Sequence, residues 1–351
     1  MSALFGNRLM VARRMAGLSL QGLAEQLDGI ISRQALHKYE QGLTYPNSQT
    51  LIALSRALKV PVDFFFMEPE VSVQLSGIEF RKRKRLSSVE EQAVTERCID
   101  ILSRYLTLER MVNDVKPLRR FDHFHVIHNI QDAENAAEAL RSQWGLGNDP
   151  IPNVMAMLED NGYKVVEVNA KHDFDGMKAF AGDIRVIAVN RFKDVCRIRF
   201  TVLHELAHHL LIFPAEMSED EKERLCHAFA GAVLLPAAQA REAMSQHRFH
   251  FYLPELILLK AYWGISIAAM FARAKNLEII NDYVYAKLHQ GYRKRQYHLE
   301  EPGDFKGEEK AHRFNQLLYR ALAEGIITIN QAATLRNLTV SEMRVKLDRL
   351  V

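Results

Sequence analysis

His204 and His208 stand four residues apart, with Glu205 between them, inside an apolar run from Phe200 to Ile212. On an α-helix, residues at this spacing project from one face about one turn apart, so two imidazoles can hold the same ion. Glu205 then lies beside them to activate water at that ion. Two imidazoles and a neighbouring carboxylate suit Zn2+ and metal-assisted hydrolysis. A catalytic zinc takes three protein ligands and leaves one position for water, so a further ligand must come from elsewhere. The stretch from Ser218 to Pro236 reads as a second helix, acidic at its start and apolar at its end. On it Glu223 and His227 are four apart and share a face, so either or both can approach the metal. His209 is turned about 100° from His208 and reads as a packing or supporting residue. Cys226 reads as a small core residue, with a thiolate ligand as the alternative. His247 and His250 read as surface-loop residues, or else as groups that bind substrate or stabilise an oxyanion.

Elements that position these residues follow from periodicity. A helix is expected from Asp132 to Trp144 and another from Val154 to Asn161. Strands are expected at Tyr163 to Val168 and Ile184 to Val189, leading into the helix with the paired histidines. This order predicts a small α+β domain with its sheet against that helix. Beyond it, Leu253 to Leu277 is helical with a break at Trp263-Gly264. Tyr283 to Tyr297 is a basic, aromatic stretch, read as a solvated helix face, with contact to nucleic acid as the alternative. Phe314 to Ala323 and Thr328 to Val351 are further short helices.

The first 66 residues follow a different plan. A helix marked by Leu4, Phe5, Leu9 and Val11 to Met15 ends near Gly17. A second starts at the N-cap Ser19, a third runs from Ser32 to Glu40, a fourth from Thr50 to Leu58, and a short fifth follows Pro61. Two short helices joined by a turn inside a five-helix unit form the helix-turn-helix plan. Residues 67 to 80 read as a linker that becomes extended. Arg81 to Arg85 is an unbroken basic run, readable as an arm on a DNA backbone or as a solvated strand or helix start. A long helix is expected from Ser87 to about Asn113.

Length and composition set outer bounds. The chain has 351 residues, 48 % hydrophobic and 25 % charged, the balance of a soluble globular protein with two or three domains. Its net charge of +3 is too small to attract nucleic acid as a whole, so such a partner requires a local patch. Three scattered cysteines argue against a disulfide framework. With no secretion-signal pattern and no apolar run of about 20 residues, the expectation is a cytoplasmic protein that uses no membrane.

Two resemblances follow from these residues. Gly17 to Val60 resembles the lambda-repressor-type, or xenobiotic-response-element, DNA-binding domains. It does so through Leu23-Ala24, Ser32, Tyr39-Glu40-x-Gly42, Pro46, Leu51, Leu54 and Leu58. The resemblance implies that the third helix reads double-stranded DNA with Arg33, Gln34, His37 and Lys38, with Ser32 and Gln21 at phosphates. Leu20 stands where many members place a phosphate-contacting Gln, and the turn Asp28 to Ile31 is longer than usual. Roughly residues 120 to 275 resemble the ImmA/IrrE family of metallopeptidases. Here the matching residues are Pro150-Ile151-Pro152, Asp175-Gly176, Ile187 to Asn190, Arg199-Phe200-Thr201, His204-Glu205-x-x-His208, Glu223, Phe229-Ala230 and Leu234-Leu235-Pro236. That resemblance implies a zinc site of His204, His208 and Glu223 with Glu205 as general base, and His227 as the reserve ligand. Leu225 stands where many members have an additional Glu.

The expected architecture is mainly α with a small α+β domain. A five-helix lambda-repressor-like head occupies 1–66 and a linker with a long helix 67–119. A zincin-like metallopeptidase domain occupies 120–277 and a helical C-terminal region 278–351. The resemblances imply a transcriptional regulator acting as a homodimer on an operator. Its zinc-dependent peptidase domain would cleave or control a regulatory protein, repressor, antitoxin or toxin partner in a stress or mobile-element response. The competing reading is a transcription factor or antitoxin whose peptidase-like domain senses a ligand or partner without catalysis.

Overall fold

The computed structural model describes residues 2–82, 86–122, 125–170 and 173–347. Its elements form two compact units. The first begins with α1 (Ser2–Met15), α2 (Leu20–Gln26), α3 (Arg33–Glu40), α4 (Ser48–Leu58) and a 3-10 turn, Val62–Phe66. Ser19, Ser32 and Asn47 cap α2, α3 and α4 through their own side chains, which is why these short helices start where they do. Phe5, Leu9, Leu23, Leu36, Leu54 and Phe65 close one small core beneath them. Arg13 grips the carboxylate of Glu40 with two bonds of 2.6 and 2.9 Å, tying α1 to the end of α3. Asp28 and Gly29 both adopt left-handed conformations, which accommodates the long turn before α3.

The strand β1 (Ser76–Lys82) follows, and from Gly77 it belongs to the second unit. The chain then forms α5 (Ser88–Val112) of the first unit, opened by a Ser87/Glu90 capping box and closed by the left-handed Asn113.

The second unit contains α6 (Ile130–Gln143), α7 (Val154–Asp160), β2 (Lys164–Val168), β3 (Phe174–Ala181) and β4 (Ile184–Asn190). After them come α8 (Val195–Leu210), α9 (Glu219–Leu234), α10 (Ala237–Met244), α11 (Leu253–Trp263), α12 (Ile267–Asn276) and α13 (Asp282–Lys294). The four strands lie in the order β1-β3-β4-β2. β3 and β4 are antiparallel, with Gly176 opposite Val189, whereas β2 and β4 are parallel. α8 packs on β3 and β4, and α9 lies between α8 and α6. Val202, Leu206, Leu225, Phe229, Ile187 and Leu140 share the resulting core. α11 and α12 meet at 94°, and Trp263, Ile267 and Met270 at that bend are buried in the same core. No single helix among the described residues is long and apolar enough to cross a membrane.

α14 (Arg313–Ala323), α15 (Ile329–Leu335) and α16 (Val340–Leu347) return to the first unit. Tyr105 and Leu108 of α5 share a core there with Leu317, Leu318, Ile327 and Met343. Among the described residues, the helical content and one small sheet give the mainly α architecture with a small α+β part that the sequence predicts. β3 is not legible in the sequence, whereas the end of the linker, expected only to be extended, is strand β1. The basic run divides likewise, because Arg81 lies on β1 while Arg83, Lys84 and Arg85 fall outside the described residues.

Candidate metal centre and DNA-facing helix

α8 carries His204, Glu205 and His208, and its N-terminus is capped by Asp194. The apolar residues that flank the motif bury that side of the helix, so the histidine pair is presented between the sheet and α9. His204 and His208 bring their Nε2 atoms to 3.0 Å from each other. From α9 the carboxylate of Glu223 reaches both, with Oε1 3.0 Å from His208 and Oε2 3.2 Å from His204. These three residues are the group whose donor atoms converge closely enough for one ion. Ligand atoms 2.0–2.2 Å from a tetrahedral zinc stand roughly 3.3–3.6 Å apart, so a small expansion of this triangle accommodates it.

The electrostatics suit that use. Burial presses His204 down to about 3, against the Glu223 hydrogen bond, so its imidazole is neutral and offers a lone pair. Burial pushes Glu223 up, but its bonds to His204 and His208 more than offset this and hold the carboxylate ionised. Burial raises Glu205 to about 7, and its Oε1 is buried with no hydrogen-bond partner. A carboxyl with that affinity is poised to exchange protons near neutrality.

His227 has another occupation. Its ring lies 4.6 Å from that of His204, and its Nε2 accepts a hydrogen bond of 3.0 Å from Arg81. The lone pair that a metal would need is therefore engaged. Cys226 is buried, with Sγ 3.8 Å from His208 Nδ1, and burial raises its thiol well above the usual range. His209 is a packing residue, with its ring against Tyr163 and Phe180 and its Nε2 3.2 Å from the Val186 carbonyl. His247 and His250 lie in the exposed loop between α10 and α11.

Three residues around the centre escaped the sequence reading. Glu79 of β1 has Oε2 4.0 Å from His208 Nδ1, and its Oε1 is 2.9 Å from Lys178 of β3. Lys178 also donates to the His208 carbonyl at 3.3 Å. Arg81 is the third. The only available signal was the period-2 spacing of Glu79 and Arg81, hidden in a charged run.

In the first unit Ser32, Arg33, Gln34, His37 and Lys38 are all exposed, while Leu36 between them is fully buried. They form one polar face of α3. Ser32 spends its hydroxyl on the Ala35 N–H at 3.2 Å, and the exposed Gln21 donates to Glu25 at 2.9 Å.

Two segments of the chain match known protein families. Residues 9–65 match the helix-turn-helix family and residues 159–275 the IrrE N-terminal-like domain, an M78 peptidase family. The chain thus joins a helix-turn-helix domain to an IrrE-like domain. Over 61 residues it is 39 % identical to HTH-type transcriptional regulators of Sinorhizobium medicae and Rhizobium meliloti. That stretch is 17 % of this chain and 42 % of either relative, so less than half of their length is matched. No solved structure matches the chain.

Proposed function

We propose that this chain is a DNA-binding transcriptional regulator with a zinc-dependent peptidase domain that cleaves or controls a regulatory protein. Residues 1–66 act as the reading head and 120–277 as the peptidase domain, with 67–119 joining them and 278–351 completing the structure. The observation that carries the reading is the convergence of His204, His208 and Glu223 beside a buried, unpartnered Glu205 oxygen. Bound zinc supplies Lewis acidity, which makes water a nucleophile at neutral pH and polarises a peptide carbonyl. Glu205 takes the proton from the attacking water at Oε1 and returns it to the leaving amine. His204 and His208 keep their Nε2 atoms directed at one point because α8 is packed on both sides.

The head docks α3 in the major groove of double-stranded DNA, where Arg33 and Gln34 suit guanine and adenine edges and His37 and Lys38 extend the contact. Ser32 and Gln21 border the phosphates. Two heads in a homodimer read two half-sites. The regulated partner is a repressor, antitoxin or toxin protein in a stress or mobile-element response, and the chain works in the cytoplasm.

Metal analysis of the purified chain tests the first part, with about one zinc per chain expected. Glu205→Gln keeps the shape and removes the base. Loss of cleavage with retained zinc supports the enzyme, whereas an unchanged regulated phenotype in that variant makes the domain a sensor.

A further inference from the structure

Arg81 lies outside both matched segments, 9–65 and 159–275, yet its side chain is at the metal centre. β1 is hydrogen-bonded to β3, and β3 lies against α8. Residues two apart on a strand share a face. Glu79 and Arg81 therefore point together toward His208 and His227, while Phe80 turns the other way and meets the ring of Phe174 at 6.2 Å. The ion pair of Glu79 with Lys178 and the contact of Phe80 with Phe174 make β1 an integral strand. Arg81 is thereby held in place.

Its guanidinium lies 5.5 Å from the Phe200 ring centre, and Nη2 is engaged by His227. Nη1, in contrast, is buried and has no hydrogen-bond partner. Leaving a buried donor unmet is costly, and more so when it is charged. Such groups are few in native structures and call for a physical reason. Glu205 heads the carboxylates whose charge favours the Arg81 cation against its burial. An unspent cationic donor and an unspent carboxylate oxygen therefore belong to the same centre. Attack of water on a peptide carbonyl needs these two things: a base for the proton and a donor for the oxygen that becomes negative.

We propose that Arg81 is a catalytic residue of this centre, its free Nη1 donating to the oxyanion that develops on the scissile carbonyl. The inference rests on the peptidase reading above. In the reaction the water oxygen bonds to the carbonyl carbon, its proton passes to Glu205, the C–N bond breaks and the amine takes that proton. Arg81 stays protonated throughout, and no electron transfer is involved. The planar fork of Arg allows one nitrogen to be anchored by His227 while the other serves the substrate, a division that Lys cannot copy. The segment matching the IrrE-like domain is then an incomplete site, finished by a strand from the connector that follows the reading head in the chain.

The test uses the full-length, zinc-loaded chain and its R81Q and R81K variants. Two probes are compared: a peptide phosphonamidate, whose tetrahedral anionic oxygens imitate the developing charge, and the peptide amide of the same sequence. R81Q is expected to bind the phosphonamidate about 100-fold more weakly. Its affinity for the amide stays within about threefold and zinc stays at about one per chain, with R81K intermediate. On unfolded casein, kcat of R81Q falls by a similar factor at unchanged KM. Equal loss for both probes, no loss for either, loss of zinc, or a wild-type chain that does not bind the phosphonamidate each overturns the proposal. Should the wild-type chain bind the phosphonamidate but cleave nothing, the peptidase reading fails, and the ratio between the probes still decides what Arg81 does.

Discussion

Arg199 and Glu309 form an ion pair in which both side chains are wholly buried, with Nη1 2.7 Å from Oε2. The same guanidinium donates to the carbonyls of Ile151 at 2.7 Å and Gly264 at 3.0 Å. Glu309 in turn accepts the N–H groups of Val154 and Met155 at the start of α7. One pair therefore fastens the loop before α7, the bend between α11 and α12, and the end of the second unit to the motif helix. Removing one partner leaves an uncompensated buried charge, so Glu309→Ala is expected to destabilise this unit by about 3–5 kcal/mol. Urea unfolding followed by tryptophan fluorescence reads this, since Trp263 is next to Gly264. A loss under 1 kcal/mol, as for an exposed pair, contradicts the assignment.

Gly176 faces α8 without a side chain for a steric reason. A Cβ there would lie 2.5 Å from Thr201 Cγ2 and 3.4 Å from Glu205 Cγ. Gly176→Ala is expected to push α8 from β3 and to lower stability by about 1–3 kcal/mol, the usual range for overpacking. Thr201→Ser removes the offending methyl, so the double variant should recover most of the loss. Thermal melts of the single and double variants check this, and absence of rescue would locate the strain elsewhere.

Asp175 sets an acid limit. Burial raises its pKa, but Arg197 at 2.9 Å and Lys193 at 3.1 Å outweigh burial and hold it below the ordinary 3.8. The folded state therefore binds the proton less readily than the unfolded chain. Its contribution to stability is fully present above pH 3.8 and is lost as pH falls through the lowered folded value. Asp175→Asn should lower stability at pH 6 and flatten its fall below pH 4, as read by urea midpoints across about pH 3–6. Parallel curves for both proteins would remove Asp175 from the account.

Much of this was legible in the sequence because it is local. The i,i+4 histidines, the second acidic helix, and the capped helices of the first unit each fit within one element, where periodicity decides the facing side. β3 was hidden because Asp175, Gly176, Lys178 and Ala179 are poor strand formers, and partners from other elements hold them in place. Arg81 was hidden for a different reason. It lies more than a hundred residues before the motif it serves, and only the pairing of β1 with β3 brings it there. Its neighbours Lys82 to Arg85 make the run look like a solvated charge block. Arg199 and Glu309 are likewise joined only by the tertiary fold.

The face of α3 makes a prediction separable by salt. Lys38→Ala removes a positive charge that extends the contact, and should weaken binding to a DNA fragment of the chain's own promoter and reduce the salt slope by about 1. Arg33→Ala should cost about 1–3 kcal/mol and relax preference at one base pair. Titrations by fluorescence anisotropy at several salt concentrations distinguish the two. Unchanged affinity in both variants would mean that another face of the head is used.

Choice of the third ligand follows from which lone pairs are free. Glu223 places its two oxygens 3.0 and 3.2 Å from the histidine nitrogens, whereas His227 commits Nε2 to Arg81. Glu223→Ala should therefore lose zinc during dialysis against a weak chelator, and His227→Ala should keep about one zinc per chain. His227→Ala instead frees Arg81 Nη2, so its defect should follow that of R81Q in binding the phosphonamidate. Inductively coupled plasma analysis gives the metal content of both variants after the same dialysis. If His227→Ala loses the metal and Glu223→Ala retains it, the ring of His227 must turn from Arg81 when zinc binds, and the ligand set becomes three histidines.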